Sequence, residues 1–205
     1  MKEAHSLVVI KKYPNVFQKL EYKIGAPLQA LRSYSDSGLA ILQGPYYEYN
    51  LNGNLSKSGY YNANKKDSIW YNYNDTGKVT AIEKFEMGFL IKAINPDTIK
   101  KEEKNNYQDI TYKKARGNKD WIHYLLHSIN GDVASNSVKG GTVWVGFAIN
   151  KGGKCINIHL RRSAEFVLDE EALRTLENAP PWQLDNQEME DPDVYRVQAI
   201  TFVKQ

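Results

Sequence analysis

The sequence predicts an α+β protein: an antiparallel β-meander of repeated hairpins in its first half, then a two-layer domain whose elements run α-β-β-α-β. Three observations carry this. The first ninety or so residues are rich in Tyr, Asn and Gly and poor in helix signals. A shift of about 24 residues lays the chain on itself, a period within the range of repeat architectures. From Trp121 onward the apolar period becomes helical and then strictly alternating.

The shift pairs Tyr47 with Tyr71, Tyr49 with Tyr73, Gly53 with Gly77, Leu55 with Val79, Tyr61 with Phe85 and Asn64 with Gly88. Its core phrase is a tyrosine followed four positions on by glycine: Tyr34 to Gly38, Tyr49 to Gly53 and Tyr73 to Gly77. Each reads as a strand entering a tight turn. Asn52-Gly53 suits a type I′ turn, and Asp75-Thr76-Gly77 a three-residue loop with a left-handed glycine. Strands are expected near 7–13, 17–24, 28–34, 45–50, 54–62, 68–74 and 78–86.

One hairpin cannot bury its own apolar face, so the repeat aromatics are expected to pack on neighbouring repeats. The alternative is that Tyr46, Tyr60, Trp70 and Tyr71 project outward as a platform for a glycan, peptidoglycan or a peptide. The phrases Gly44-Pro-Tyr-Tyr-Glu-Tyr, Gly59-Tyr-Tyr-Asn and Asp67-Ser-Ile-Trp-Tyr-Asn-Tyr resemble tandem MORN-like repeats of bacterial proteins. Ser68 stands where those repeats have a glycine before the tryptophan.

Composition shifts at Asn95-Pro96-Asp97, followed by the charged run Lys100 to Asn106. The expected organisation is a repeat module over 1–97, a charged linker with a short strand over 98–114, and a second domain over 115–205. In the linker the strand is Ile110 to Lys113. A helix then starts at a cap on Asn118 or Asp120, carries Trp121, Ile122, Leu125, Leu126 and Ile129 on one face, and ends at a left-handed Asn130-Gly131. Val143, Val145, Phe147 and Ile149 alternate with Trp144, Gly146 and Ala148, Asn150 to Gly153 turns the chain, and Ile156, Ile158 and Leu160 alternate back. Asp169, Glu170 and Glu171 place negative charge at a second helix N-terminus. Ala172, Leu173 and Leu176 form its buried stripe, and Pro180-Pro181 ends it. The last strand, about 194–203, has apolar residues on both parities. That requires a bulge or burial of both faces.

Over about 115–203 this order and its punctuation resemble the C-terminal domain of TonB-type energy transducers, in the form common in Bacteroidetes. Gly141-x-Val143-x-Val145-x-Phe147-x-Ile149 stands at the family's first strand and Gly153 at its turn. Ser163 follows the second strand, Leu168-Asp169 with Ala172 opens the helix, and Pro181-Trp182 fills the helix exit. The chain departs from the family in lacking a Tyr-Pro after the first helix and a glycine before the last strand. It also has Leu184 and Ala199 in place of prolines. The resemblance implies a non-enzymatic protein of the periplasm or cell envelope. Such a protein serves transport or adaptor roles by adding a segment of a protein partner, such as an outer-membrane receptor, to a sheet edge. It makes the last strand the edge, with Tyr195, Arg196, Val197 and Gln198 as contact residues, and allows a homodimer through the same strand.

Composition narrows the classes further. Hydrophobic content of 41% with 25% charged residues marks a folding chain, and a net charge of +3 without a basic stripe argues against nucleic acid. No run approaches the roughly 18 apolar residues of a membrane span. Leu7-Val8-Val9-Ile10 is too short for a secretory leader, leaving either a cytoplasmic protein or one whose leader or anchor precedes this sequence. Cys155 is the single cysteine and forms no internal disulfide.

Neither a cofactor nor a metal is expected. His123 and His127 share a helix face but lack the glutamate of a zinc-protease motif and a nearby third ligand. Cys155 and His159, four apart on a strand, would stand roughly 13 Å from one another.

Overall fold

The structure, a computed structural model, describes residues 5–100, 113–114, 119–182 and 194–204. The chain is mixed but mostly strand and divides into two units, Met1–Ile110 and Thr111–Gln205. Most of the charged run, the Ile110 end of the linker strand, the Asn118 cap and Leu184 lie outside the described residues.

The first unit is one antiparallel sheet whose strands pair in chain order: β1 Ser6–Tyr13, β2 Val16–Lys23, β3 Leu28–Tyr34, β4 Leu42–Tyr49, β5 Leu55–Asn62, β6 Lys65–Tyr73, β7 Val79–Glu86 and β8 Phe89–Ile94. The first seven are the strands the sequence announces. Strand β8 is additional, because Phe89-Leu90-Ile91 has no alternation to reveal it.

The register exposes a third copy of the repeat. Tyr22 pairs with Leu28, Tyr49 with Leu55 and Tyr73 with Val79, each directly after a register shift at Glu21, Glu48 and Asn72. The three hairpins are spaced by about 27 and then about 24 residues. The longer first interval is the Ser35–Ile41 loop, which Asp36 closes by accepting from the Ala40 and Ile41 amides. Tyr34 to Gly38 therefore sits at the opposite end of the sheet from the other two Tyr-to-Gly phrases and is out of phase with them.

Asn50 and Asn74 build the repeat turns in the same way. The Asn50 side chain accepts from the Asn52 and Asn54 amides, and the Asn74 side chain from those of Thr76 and Lys78. Gly53 and Gly77 each take φ of +80°. Asn52 is not left-handed, so Asn52-Gly53 is not the expected type I′ turn; it ends a longer loop in which only the glycine needs positive φ. Pairs of left-handed residues occur instead at the other end of the sheet, at Ala63-Asn64 and Met87-Gly88.

The elements of the second unit are β9 Lys113–Lys114, α1 Lys119–Ser128, β10 Gly141–Ile149, β11 Cys155–Arg162, α2 Phe166–Glu177 and β12 Val194–Phe202. Its sheet is ordered β11-β10-β12-β9 and carries α2 against β10 and β11. Val143, Val145, Phe147 and Ile149 are buried, as are Leu168, Ala172 and Leu176 of α2. Strand β12 pairs with β10 over nine consecutive residues without a shift; both its parities are buried over Tyr195–Val197, and beyond Gln198 only the Ile200 and Phe202 parity is covered. Burial of both faces explains Val197, no bulge is needed, and Val203 stands in solvent just past the strand end.

Two helix expectations are corrected. Trp121 is buried and Tyr124 and Leu125 are half-buried, while Ile122 and Leu126 stand in solvent, Leu126 at 73%. The contact face is turned because the large Trp121 ring takes the inner position, its centroid 4.4 Å from that of the tilted Trp182 ring. Asn130-Gly131 forms no left-handed stop. Asn130 has φ of −77° and caps the 3₁₀ turn Gly131–Asn136 through its side chain and the Asp132 amide.

Candidate functional site

A sheet of hydrogen-bonded strands offers its edges to partners, so the edges of the second unit come first. Strand β11 is one of them, and it is irregular. Its register with β10 shifts at Trp144/Val145 and Gly146/Ala148, and Asn157 is left-handed with φ of +53°. Such bulging twists an edge away from further pairing.

Strand β12 is regular, but it is not terminal in its sheet. Lys113 and Lys114 pair with Arg196 and Val197 in parallel. Beyond them, the Gln198–Phe202 side of β12 has no outward strand among the described residues.

This corrects the picture of Tyr195, Arg196, Val197 and Gln198 as displayed contacts. The Tyr195 hydroxyl meets His159 Nε2 at 2.9 Å, and the two rings stack. The Arg196 guanidinium lies 5.4 Å from the Trp182 ring centre. Val197 is buried, and Gln198 Oε1 accepts the Trp121 indole N–H at 3.0 Å. These side chains hold the unit together, leaving only main chain for a partner.

The outward aromatic platform does not form either. Trp70 is 1% exposed, Tyr46 and Tyr71 are buried, and only Tyr60, at 38%, reaches solvent. Tyr46, Tyr61, Trp70 and Phe85 make a cross-strand ladder with centroid steps of 5.2, 5.0 and 6.3 Å. Arg32 stands over Tyr46 at one end, and Lys66 over Trp70 and Phe85 at the other. Tyr71 instead lies by Tyr73, whose hydroxyl meets Ser58 at 2.8 Å. Burial and the neighbouring Glu48 carboxylate push the Tyr46 phenol well above its usual range.

An open polar groove of about 460 Å³ crosses strands β1 to β5, lined among others by Ser6, Glu21, Gln29, Arg32, Glu48 and Ser56. Its charges are largely matched: Glu21 pairs with Arg32 and with Lys19 at 2.8 Å, and Glu48 with Tyr46 and Lys57.

The candidate chemical groups are occupied structurally. The His123 and His127 rings lie tilted with their centroids 3.9 Å apart, and His127 Nδ1 is on the His123 carbonyl. Among the described residues no three His, Cys, Asp or Glu side chains gather as a metal site. Burial pushes the Cys155 thiol up to about 11, away from nucleophilic use.

The sequence reading took Asp169, Glu170 and Glu171 as one N-terminal group. In the structure Glu165 stands at the N-cap position of α2 without a side-chain capping bond, and three buried carboxylates reach out to loops. Glu165 accepts from the Val138 amide, Asp169 from Ser163 and the Ala164 amide, and Glu171 from the Asn130 amide and Arg174. No protein-family model matches the chain, and no curated protein matches it.

Proposed function

We propose that this is a non-enzymatic interaction protein of the cell envelope that docks an extended protein segment by strand addition to the outer edge of β12. The observation that carries the reading is the state of that edge: nine unshifted pairs on its inner side, and only the two-residue β9 along its outer side among the described residues. A short parallel pairing of this kind marks an edge able to accept a strand in that direction. A partner would extend β9 or displace it, gaining main-chain hydrogen bonds along Gln198–Phe202. The order of elements supports this reading through its resemblance to the TonB C-terminal domain. The MORN-like sheet then serves as the adaptor that holds the docking unit.

Because the side chains of 195–198 are engaged internally, selectivity comes from residues flanking the edge and affinity from the backbone. No helix among the described residues is long and apolar enough to cross a membrane. The test is amide chemical-shift mapping of the labelled full chain against extended peptides from outer-membrane receptors, with cell-wall glycan fragments as a parallel arm. Shifts confined to Gln198–Phe202 and Lys113–Lys114 are expected. Shifts confined to β11 would sink the reading, and a glycan-only response around Arg32 and Glu48 would replace it.

A further inference from the structure

The least explained surface of the molecule is the far end of the first sheet. Strand β8 is the last strand of that sheet and has no outward partner among the described residues. It is also apolar and in solvent: Phe89 is 73% exposed, Ile91 55%, and Leu90 and Met87 are more than half exposed. Scattered exposed apolar residues are ordinary, but four within one hairpin at an unpaired edge are not.

Edges that must stay single are usually guarded by charge, proline or a bulge. Strand β1, at the other end of the sheet, carries Lys11 and Lys12 in succession. Strand β8 carries Lys92 alone and no proline or left-handed residue, and its one bulge, at Ile91 between the Lys84–Lys92 and Phe85–Leu90 pairs, is a shift of the kind that interior strand β6 carries while pairing on both sides. The turn that delivers it, Met87-Gly88, has both residues left-handed, with φ of +48° and +93°. Paired positive φ values match the strand twist of a tight hairpin, so β8 is held along β7 on both sides of its Ile91 bulge, with its outer hydrogen-bonding groups presented.

We infer that β8 is a self-association edge, through which two copies of this chain pair antiparallel about a two-fold axis and continue one sheet across both. The pattern is self-complementary. Pairing centred on Leu90 sets Phe89 opposite Ile91 of the second copy and Lys92 opposite Gly88 of the second copy, which has no side chain to meet it. The two Lys92 ammonium groups then lie about 14 Å apart along the strands, whereas centring on Lys92 would bring them together.

The area suits a second copy of this chain better than a large obligate partner. Met87, Phe89, Leu90 and Ile91 present on the order of 500 Å² a side, so a pair buries at most roughly 1,000 Å², the lower bound of a specific interface. The association is therefore a reversible one. Its apolar centre is the composition found in interfaces between like chains.

Sedimentation equilibrium on the full chain across a hundredfold concentration range tests this. The mass is expected to rise from 23.5 kDa toward twice that value and stop there. Ile91→Lys should raise the concentration of half-association at least tenfold, while Val8→Lys on β1 leaves it unchanged. Both side chains are exposed, so circular dichroism should show each variant folded. A chain that stays monomeric throughout, or Ile91→Lys associating like the parent, overturns the inference. So does a ladder of species beyond two, with association lost in Val8→Lys, since that is the sign of open β8-to-β1 pairing.

Discussion

Trp70 lies across Gly59 of the neighbouring strand so closely that a β-carbon on that glycine would come 2.2 Å from Trp70 Cδ2. The glycine is the floor on which the indole rests, and the indole N–H is fixed by the Tyr60 and Asp67 carbonyls. The same arrangement recurs in the second unit, where a β-carbon on Gly146 would come 2.0 Å from the Tyr195 hydroxyl.

Gly59→Ala is expected to destabilise the first unit by about 1–3 kcal/mol, the usual cost of forcing volume into a packed site. Urea unfolding followed by Trp70 fluorescence reads it. A loss below about 0.5 kcal/mol would mean that the indole is free to move aside, contrary to its two hydrogen bonds.

Ser68 occupies the place of Gly44 one repeat later, and it is left-handed with φ of +59° where Gly44 has +111°. A left-handed non-glycine residue costs roughly 1–2 kcal/mol, while glycine loses roughly 0.5–1 kcal/mol in chain entropy. Ser68→Gly should therefore stabilise the protein by about 0.5–1 kcal/mol. Thermal melts of the two proteins side by side check the sign, and a lower melting point for the glycine variant refutes the argument.

Gln198→Leu removes the acceptor of the Trp121 indole N–H and leaves that donor unpaired. The expected cost is about 1–3 kcal/mol, the penalty for an unsatisfied group out of water. Denaturant unfolding followed by the fluorescence of the Trp121–Trp182 pair measures it. A neutral result would show that the indole finds another acceptor.

Burial acts to raise the pKa of Glu171, but hydrogen bonds from Arg174 and the Asn130 amide outweigh it, and the net shift is downward. A carboxyl with a depressed folded-state pKa stabilises the fold fully above its unfolded value, near 4.3, and loses that stabilisation as pH falls through the folded value. Glu171→Gln should cost about 1.5–3 kcal/mol at neutral pH. The difference from the parent should close only below about pH 4. Urea midpoints measured from pH 3 to 8 follow both. A gap that does not narrow in acid would mean that charge is not what Glu171 contributes.

Cys155 should alkylate slowly. With its thiol pushed up to about 11 by burial, the thiolate at pH 8 is on the order of 100-fold scarcer than in an ordinary cysteine. Iodoacetamide labelling followed by mass spectrometry should show that delay, and its disappearance in urea. Labelling at the rate of a free thiol would indicate that the site opens readily.

How far these features could be read in advance depended on their range along the chain. The seven strands up to Glu86 were legible because alternation and turn residues are local. So was the Asn150-to-Gly153 turn, where the Asn150 side chain accepts from the Gly152 and Lys154 amides. Strand β8 was hidden because an edge strand without a covered face has no reason to alternate. The face of α1 was misread because Ile122 and Leu126 match the apolar period as well as Trp121 does. Only contact with Trp182 and Phe147 separates the positions that are filled from those that are merely apolar.

The candidate sites were less legible than the fold. Exposure of Tyr46, Trp70 and Tyr71 is decided by the rows of side chains on adjacent hairpins, and these come together only through the register. The sequence by itself determined where most of the strands and both longer helices lie, since backbone preference and hydrophobic period act over a few residues. Tertiary structure decided which edges are covered, which rings are buried, and that Lys113 and Lys114 lie along β12. Pairing and burial depend on residues far apart in the chain, and no local pattern encodes which of several suitable partners arrives.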